Sequence, residues 1–315
     1  MMSDIDHRSI TMITPNTSHE RAQELVQLSD KVYPAIDQIV NDETRARRMM
    51  RLGIQVVALT VGVGRDYRTR AGDAWIAVQQ QELSRGGITT KDYVHYPRYQ
   101  QMLAEIPCVP DVEFWNESLD DLAQKYADIR RATIASNGSY ETDATHAIHL
   151  SALATAYAAE YHPELHLSTV ALYALIHDIV EAYAGDTPSL GLNKKQRHEK
   201  ARIEKAALER IEREFGDKFP EFIQACKDYE NLADDEAKFI KTFDKLDPSF
   251  THISNGCLAI RRDMKIDCPQ QLRALNQQTE DSMTYADKFP QLLSVRRELT
   301  SKVIASAHWG EKIPT

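Results

Sequence analysis

Ala174-Leu175-Ile176-His177-Asp178-Ile179-Val180-Glu181-Ala182-Tyr183-Ala184-Gly185-Asp186-Thr187-Pro188 sets a His-Asp doublet inside an apolar run, adds a glutamate, and stops at Gly-Asp-Thr-Pro. The apolar run is helical by pattern, and residues three and four apart on a helix share a face, with Cβ atoms about 5–6 Å apart. Glu181 is therefore expected beside both His177 and Asp178. Imidazole and carboxylate donors together suit a catalytic divalent metal, because they leave coordination positions for water and substrate. Two adjacent donors do not hold such a metal, so further ligands must come from elsewhere in the chain.

His146, in Glu141-Thr142-Asp143-Ala144-Thr145-His146, and Asp244, in Lys241-Thr242-Phe243-Asp244-Lys245-Leu246-Asp247, are the two candidates. Each sits among apolar neighbours, where an unpaired ionisable group is costly. His149 lies one turn from His146 and reads as a satisfied core histidine, as do His162, His166 and His252. Asp247 is the nearest rival to Asp244. The bland account of the whole set is an internal salt-bridge network, but burying several carboxylates with few cations is expensive without a metal. Asp186 also has a local reading, since Gly-Asp-Thr-Pro is good turn chemistry.

Working outward, the chain reads almost wholly helical from Asn116 on. Asn116 or Ser118 starts a helix through Ile134, and Ser136-Asn137-Gly138-Ser139 breaks it. Helices follow at Asp143–Tyr161, from a Ser168 cap to Gly185, from an Asn193 cap to Phe215, at 219–231, and at Asp234–Leu246. Further helical patterns cover 249–264, 269–285 and 289–307. Ahead of this all-α half, which spans 116–315, residues 1–115 form a mostly helical region of unassigned role. Within it, residues 1–18 are polar and expected to be poorly ordered. A helical pattern spans Ser18–Met50, which Pro34 should kink, and the arginines of Arg45–Arg51 read as a solvated face. Leu52–Val63 fits a buried strand or a buried helix, and 72–83 is helical up to Arg85-Gly86-Gly87. Residues 88–116, with Pro97, Pro107 and Pro110, are loop-like, and Tyr93, His95, Tyr96 and Tyr99 read as packing rather than a base-stacking platform. Gly62-Val63-Gly64 has Tyr67 where a dinucleotide fingerprint needs its third glycine.

With 42% hydrophobic and 27% charged residues the chain is globular rather than disordered. A net charge of −9 argues against bulk binding of a long nucleic acid, but not against a phosphorylated small molecule. Cys108, Cys226, Cys257 and Cys268 lie far apart, which fits free thiols in a reducing cytosol. No signal-peptide pattern and no apolar stretch near ~18 residues stand out, so a soluble, cytoplasmic protein with no membrane span is expected.

The order His146, His177-Asp178, Asp244 resembles the H…HD…D signature of HD-domain metal-dependent phosphohydrolases. His-Asp-x-x-Glu-x-x-x-Gly-Asp-x-Pro, from His177 to Pro188, is similar to the bacterial HD-domain 5′-deoxynucleotidases. The charged stretch Lys194–Ala207, with Arg197, His198 and Glu204, is similar to the helix that follows in that group. The resemblance covers roughly residues 120–250. It implies an all-α HD-domain helical bundle, with the N-terminal region added to it. One divalent metal (Co²⁺, Mn²⁺, Mg²⁺ or Zn²⁺) would be held by His146, His177, Asp178 and Asp244. It further implies Glu181 as catalytic acid/base, Asp186 as a substrate contact, and Arg131, with Arg130 beside it, as the phosphate-binding arginine. The family often has tryptophan after that arginine, where this chain has Ala132. A homodimer and a nucleotide substrate are implied too. The expected activity is release of phosphate from deoxynucleoside monophosphates. The alternatives are a deoxynucleoside triphosphate triphosphohydrolase, for which Lys194, Lys195 and Arg197 are the extra cations, and a non-catalytic nucleotide sensor or assembly module. His198 is the residue that a second metal would need, without the partners it would require.

Overall fold

A computed structural model describes residues 17–106, 115–135 and 137–310. The expectations for residues 1–16, Pro107, Cys108, Pro110 and Ser136 lie outside the described residues. Helix α1 (Ser18–Ile36) starts at a Thr17–Glu20 capping box and runs through Pro34 without stopping there. A two-residue hairpin, β1 (Ile39–Val40) and β2 (Glu43–Thr44), then turns the chain into α2 (Arg45–Leu59). The expected Ser18–Met50 pattern is thus two helices. Asn41 and Asp42 make the turn at positive φ, a conformation their short polar side chains tolerate. Leu52–Leu59 belongs to α2, which settles the strand-or-helix choice for that segment as helix. Next come α3 (Gly64–Arg85) and α4 (Pro97–Glu105).

The arginines of α2 are not a solvated face. Arg45 is buried and its Nη1 lies 3.4 Å from Glu82 Oε2, while Arg51 forks onto Asp120 at 2.8 and 2.9 Å. Carboxylates elsewhere in the chain, Glu82 on α3 and Asp120, draw these side chains inward, which a helical wheel of α2 alone does not reveal. Tyr93, Tyr96 and Tyr99 are buried, and the Tyr93 and Tyr99 rings meet edge-on at 4.9 Å, as packing.

In the second half, α5 (Glu117–Ala127) is shorter than the sequence reading. Residues expected to continue it form strand β3 (Arg130–Ile134), paired antiparallel with β4 (Tyr140–Thr142). The β-branched Thr133 and Ile134 favour a strand, and Gly138 at φ 85° lets the chain reverse. Thr142 ends β4 and also caps α6 (Asp143–Tyr161), accepting a hydrogen bond from Thr145 N. Then follow α7 (Leu167–Ile176), α8 (Glu181–Ala184), α9 (Lys194–Phe215), α10 (Pro220–Glu230), α11 (Asp235–Asp244), α12 (Pro248–Ser254), α13 (Leu258–Arg262), α14 (Pro269–Asp281) and α15 (Pro290–Ser306). Ser168 does not cap α7. His166 holds that position, and Ser168 Oγ donates to Asp73 instead.

Every residue of α7 after Leu167 is buried, so it is a core helix rather than an amphipathic one. It lies between α6 and α3. Gly72 of α3 permits the close approach: a Cβ there would sit 1.9 Å from Ser168 O. Each fully buried Leu or Ile of α7 contributes roughly 1.5–3 kcal/mol, which anchors the helix that ends at the doublet. Residues Leu167–Ala184 do amount to an 18-residue apolar span, contrary to the sequence expectation. That span is 72% buried and the α7 helix breaks at Ile176, as befits a core element. One hydrophobic core joins α1–α4 to α5–α11 and α15, and a smaller one lies among α13, α14 and the end of α15.

Candidate metal centre

The doublet sits where α7 stops. Ile179 N bonds to Ile176 O at 3.0 Å and Glu181 N to Asp178 O at 2.8 Å, so the chain tightens into three-residue turns before α8. Glu181 is thus carried past the doublet by a turn rather than by a continuous helix. Gly185 at φ 73° closes α8 and releases Asp186 towards a cavity of about 340 Å³.

His146 from α6, His177 and Asp178 from the end of α7, and Asp244 from the end of α11 bring their donor atoms within 4.8 Å of one another. His146 Nε2 lies 3.1 Å from Asp244 Oδ1 and 4.0 Å from Asp178 Oδ2. His177 Nε2 lies 3.0 Å from Asp178 Oδ2 and 3.9 Å from Asp244 Oδ1. The histidines are aimed from behind. His146 Nδ1 donates to Asp247 Oδ2 at 2.8 Å, and His177 Nδ1 donates to the Ala174 carbonyl at 2.9 Å, which leaves both Nε2 atoms facing the cluster. His177 Nε2 is buried and makes no hydrogen bond, despite its proximity to Asp178. A bare imidazole nitrogen pointing at two carboxylates and a second imidazole is the donor set of a divalent cation. The residues present fit one.

Asp247, the rival, is not among these four. Its Oδ1 takes the Nδ1–H of His149 at 2.7 Å while Oδ2 takes that of His146, so it braces the cluster. His149 also meets Ser29 Oγ at 2.9 Å and is the satisfied core histidine expected of it. His198 lies on α9, outside the four-residue cluster and the cavity lining.

The electrostatics follow from burial. Burial opposes charge on Asp244 and Asp178. Lys245 and His146 at the first, and His177 at the second, overcome it and hold both carboxyls well below the usual range. Burial likewise opposes a proton on His146, but Asp244 and Asp247 raise it to about 10. Glu181 moves the other way. Desolvation, with Asp178 and Asp143 nearby, pushes its carboxyl up to about 10 even though Lys200 Nζ lies 3.3 Å from Oε1. Its Oε2 is buried without a partner. A neutral, half-satisfied carboxyl next to a metal cluster is a proton donor awaiting an acceptor.

Arg131 points inward from β3 while Arg130 points out and stacks on Tyr140, 3.4 Å from the ring centroid, so strand alternation separates the two arginines. Arg131 Nη1 donates to Asp143 Oδ1 at 2.8 Å and to Asp178 Oδ2 at 3.0 Å. Arg131, Asp186, Asp178, Glu181 and Asp244 all line the cavity. Sequence reasoning missed three contributors: Asp143, fully buried and raised to about 6 by desolvation, Lys200, and Lys241. Asp143 had the visible signal, as the residue next to the Thr142 cap. Lys200 and Lys241 had none, because each reaches the cavity from a helix whose sequence reads as ordinary charged surface. Of the cations proposed earlier, Arg197 lines the cavity, whereas Lys194 and Lys195 are not among its lining residues.

An HD-domain family model matches residues 123–286, just over half of the chain. The chain belongs to the HD-domain family. The cluster of His146, His177, Asp178 and Asp244 lies within the matched residues, in the order that resembled the H…HD…D signature. A solved structure, of a protein described as a predicted metal-dependent phosphohydrolase from Magnetospirillum magnetotacticum, is similar over 59% of this chain and 90% of its own, at 24% identity and a TM-score of 0.47. No curated protein matches.

Proposed function

We propose that this HD-domain protein hydrolyses a nucleoside 5′-phosphate, most readily a deoxynucleoside monophosphate. The reading rests above all on one cavity that joins Asp178 and Asp244 of the cluster to a Glu181 carboxyl with one unpaired oxygen at one end and to a mixed apolar and polar wall at the other. A cavity of about 340 Å³ falls in the range of small-ligand sites. His146, His177, Asp178 and Asp244 would hold a divalent metal, which would supply an activated water and charge stabilisation at the phosphoryl group. Arg131 turns its guanidinium to the phosphate, and its bonds to Asp143 and Asp178 hold it in place. Glu181, protonated by burial, gives its proton to the leaving 5′-oxygen, and Lys200 steadies Oε1 while this happens. Asp186, which lines the same cavity, contacts the substrate. The intact Glu181 speaks against a non-catalytic sensor.

A second reading, release of inorganic triphosphate from a deoxynucleoside triphosphate, is favoured by Arg197, Lys200, Lys241 and Lys245, which line the cavity in addition to Arg131. Against it, Lys200 faces Glu181 and Glu204, and Lys245 faces Asp244, so much of that charge is already answered. The test is turnover of a nucleotide panel with Co²⁺, Mn²⁺, Mg²⁺ or Zn²⁺, scored by product. Phosphate from monophosphates is expected. Triphosphate as product selects the second reading, and no release from any nucleotide ends both.

A further inference from the structure

The two imidazoles of the cluster are aimed by different means. His177 Nδ1 donates to the Ala174 carbonyl, three residues back in its own segment, so that ring is set locally. His146 Nδ1 donates to Asp247 Oδ2 at 2.8 Å, across 101 positions of the chain, so its aim is only as firm as Asp247. Asp247 stands at the N-cap of α12, where an aspartate ordinarily accepts helix N–H groups, yet its side chain makes no such bond. Both of its oxygens go to imidazoles, since Oδ1 takes the Nδ1–H of His149 at 2.7 Å. His149 in turn meets Ser29 Oγ through Nε2 at 2.9 Å, and Ser29 lies in α1. The line Ser29–His149–Asp247–His146 is buried throughout, with no member more than 5% exposed.

Burial turns this line into a means of positioning. Away from water a carboxylate is oriented by the donors the fold supplies, and here two histidines supply them. Taking away the His149 donor frees Asp247 to turn, and the His146 ring follows through its bond at Nδ1. A serine hydroxyl both gives and takes hydrogen bonds, so Ser29 holds His149 Nε2 whichever of the two carries the hydrogen. The His149 ring is set further by edge contacts with Tyr33 of α1 and Phe250 of α12, each at 5.6 Å between centroids. Ser29 and Tyr33 both belong to α1, which packs on α6 and α15 and lies ahead of the matched residues 123–286. We propose that α1 is a positioning element of the metal centre: Ser29 fixes His149, His149 fixes Asp247, and Asp247 fixes the ligand ring of His146. This assigns a part to the N-terminal region, and it rests on the metal centre of the reading above, not on its substrate.

The test is calorimetric titration of Co²⁺ into the metal-free full chain, with the visible absorption of bound Co²⁺ as a second readout of ligand geometry. His149→Phe keeps a ring for the edge contacts but has no donor for Asp247. Co²⁺ should bind it about tenfold more weakly, with a shifted visible band. Ser29→Ala should weaken binding about threefold, within the worth of one net hydrogen bond. Ser29→Thr keeps the hydroxyl and should retain parental affinity. Val32→Ala removes buried apolar volume from the same helix, so it should lower the melting temperature of the metal-free protein and leave Co²⁺ affinity alone. Parental affinity in folded His149→Phe or in Ser29→Ala would overturn the proposal. So would a loss in Ser29→Thr or in Val32→Ala as large as that in Ser29→Ala. A parent protein that takes up no Co²⁺ removes the centre and this proposal with it, whereas a chain that binds Co²⁺ but hydrolyses no nucleotide ends only the substrate reading.

Discussion

At the inner end of the cavity His146, His177, Asp178 and Asp244 converge from three helices and brace one another. At the outer end Arg296 stands among methionine, leucine and valine side chains with one nitrogen unmet. The inner end is charge-dense and nearly closed on itself, as chemistry on a phosphoryl group demands. The outer end is mixed, setting Met264, Leu272, Met283 and Val303 beside Asn276, Thr279, Arg296 and Thr300. The contrast teaches that one cavity joins a charge-dense end to a mixed one, with Arg131, Glu181 and Lys200 among its lining residues.

Substitutions at the two ends should therefore fail in different ways. Glu181→Gln keeps the shape of the side chain but removes the acid, and kcat should fall by about 10²–10⁴ while bound metal, measured by elemental analysis, is unchanged. An unaltered kcat would take Glu181 out of the proton step. Asp247→Asn should act only on the inner end. It weakens the acceptor of the His146 and His149 Nδ1–H bonds, so metal affinity should drop about 10–100-fold. Calorimetric metal titration checks this, and an unchanged affinity would show that Asp247 serves packing alone.

The smallest effect concerns stability at the outer end. Burial lowers the His252 pKa from about 6.5 to about 4. The unfolded chain takes up this proton before the folded one, so the contribution is present above pH 6.5 and is lost as pH falls towards 4. Between pH 6.5 and 5.5 the loss is about 1 kcal/mol. In denaturant melts across that interval His252→Asn should show a shallower decline than the parent protein. Identical slopes would mean that His252 is not held neutral in the fold.

Much of the inner end was legible because its signals are local. The doublet and the stop at Gly185-Asp186-Thr187-Pro188 follow from helix and turn chemistry within a few residues. Where the reading failed, distant residues intervened. Arg130–Ile134 was read as helix, but pairing with Tyr140–Thr142 makes it a strand, and that strand decides which of two adjacent arginines faces the site. Arg45 and Arg51 were read as solvated, but Glu82 and Asp120, on other helices, draw them in. Glu181 was placed on the helix of the doublet, yet the helix ends first and a tight turn carries it to its neighbours.

By itself the sequence determined the helical class, because helix periodicity is written in neighbouring residues, while His146, His177, Asp178 and Asp244 were named as a donor set through a family resemblance. The tertiary structure alone decided that His146 meets Asp244 across 98 positions, that Asp247 braces rather than joins the cluster, and that Arg296 shares a cavity with Glu181. Contacts between helices depend on how whole faces pack, and no local pattern in the chain encodes which faces those are.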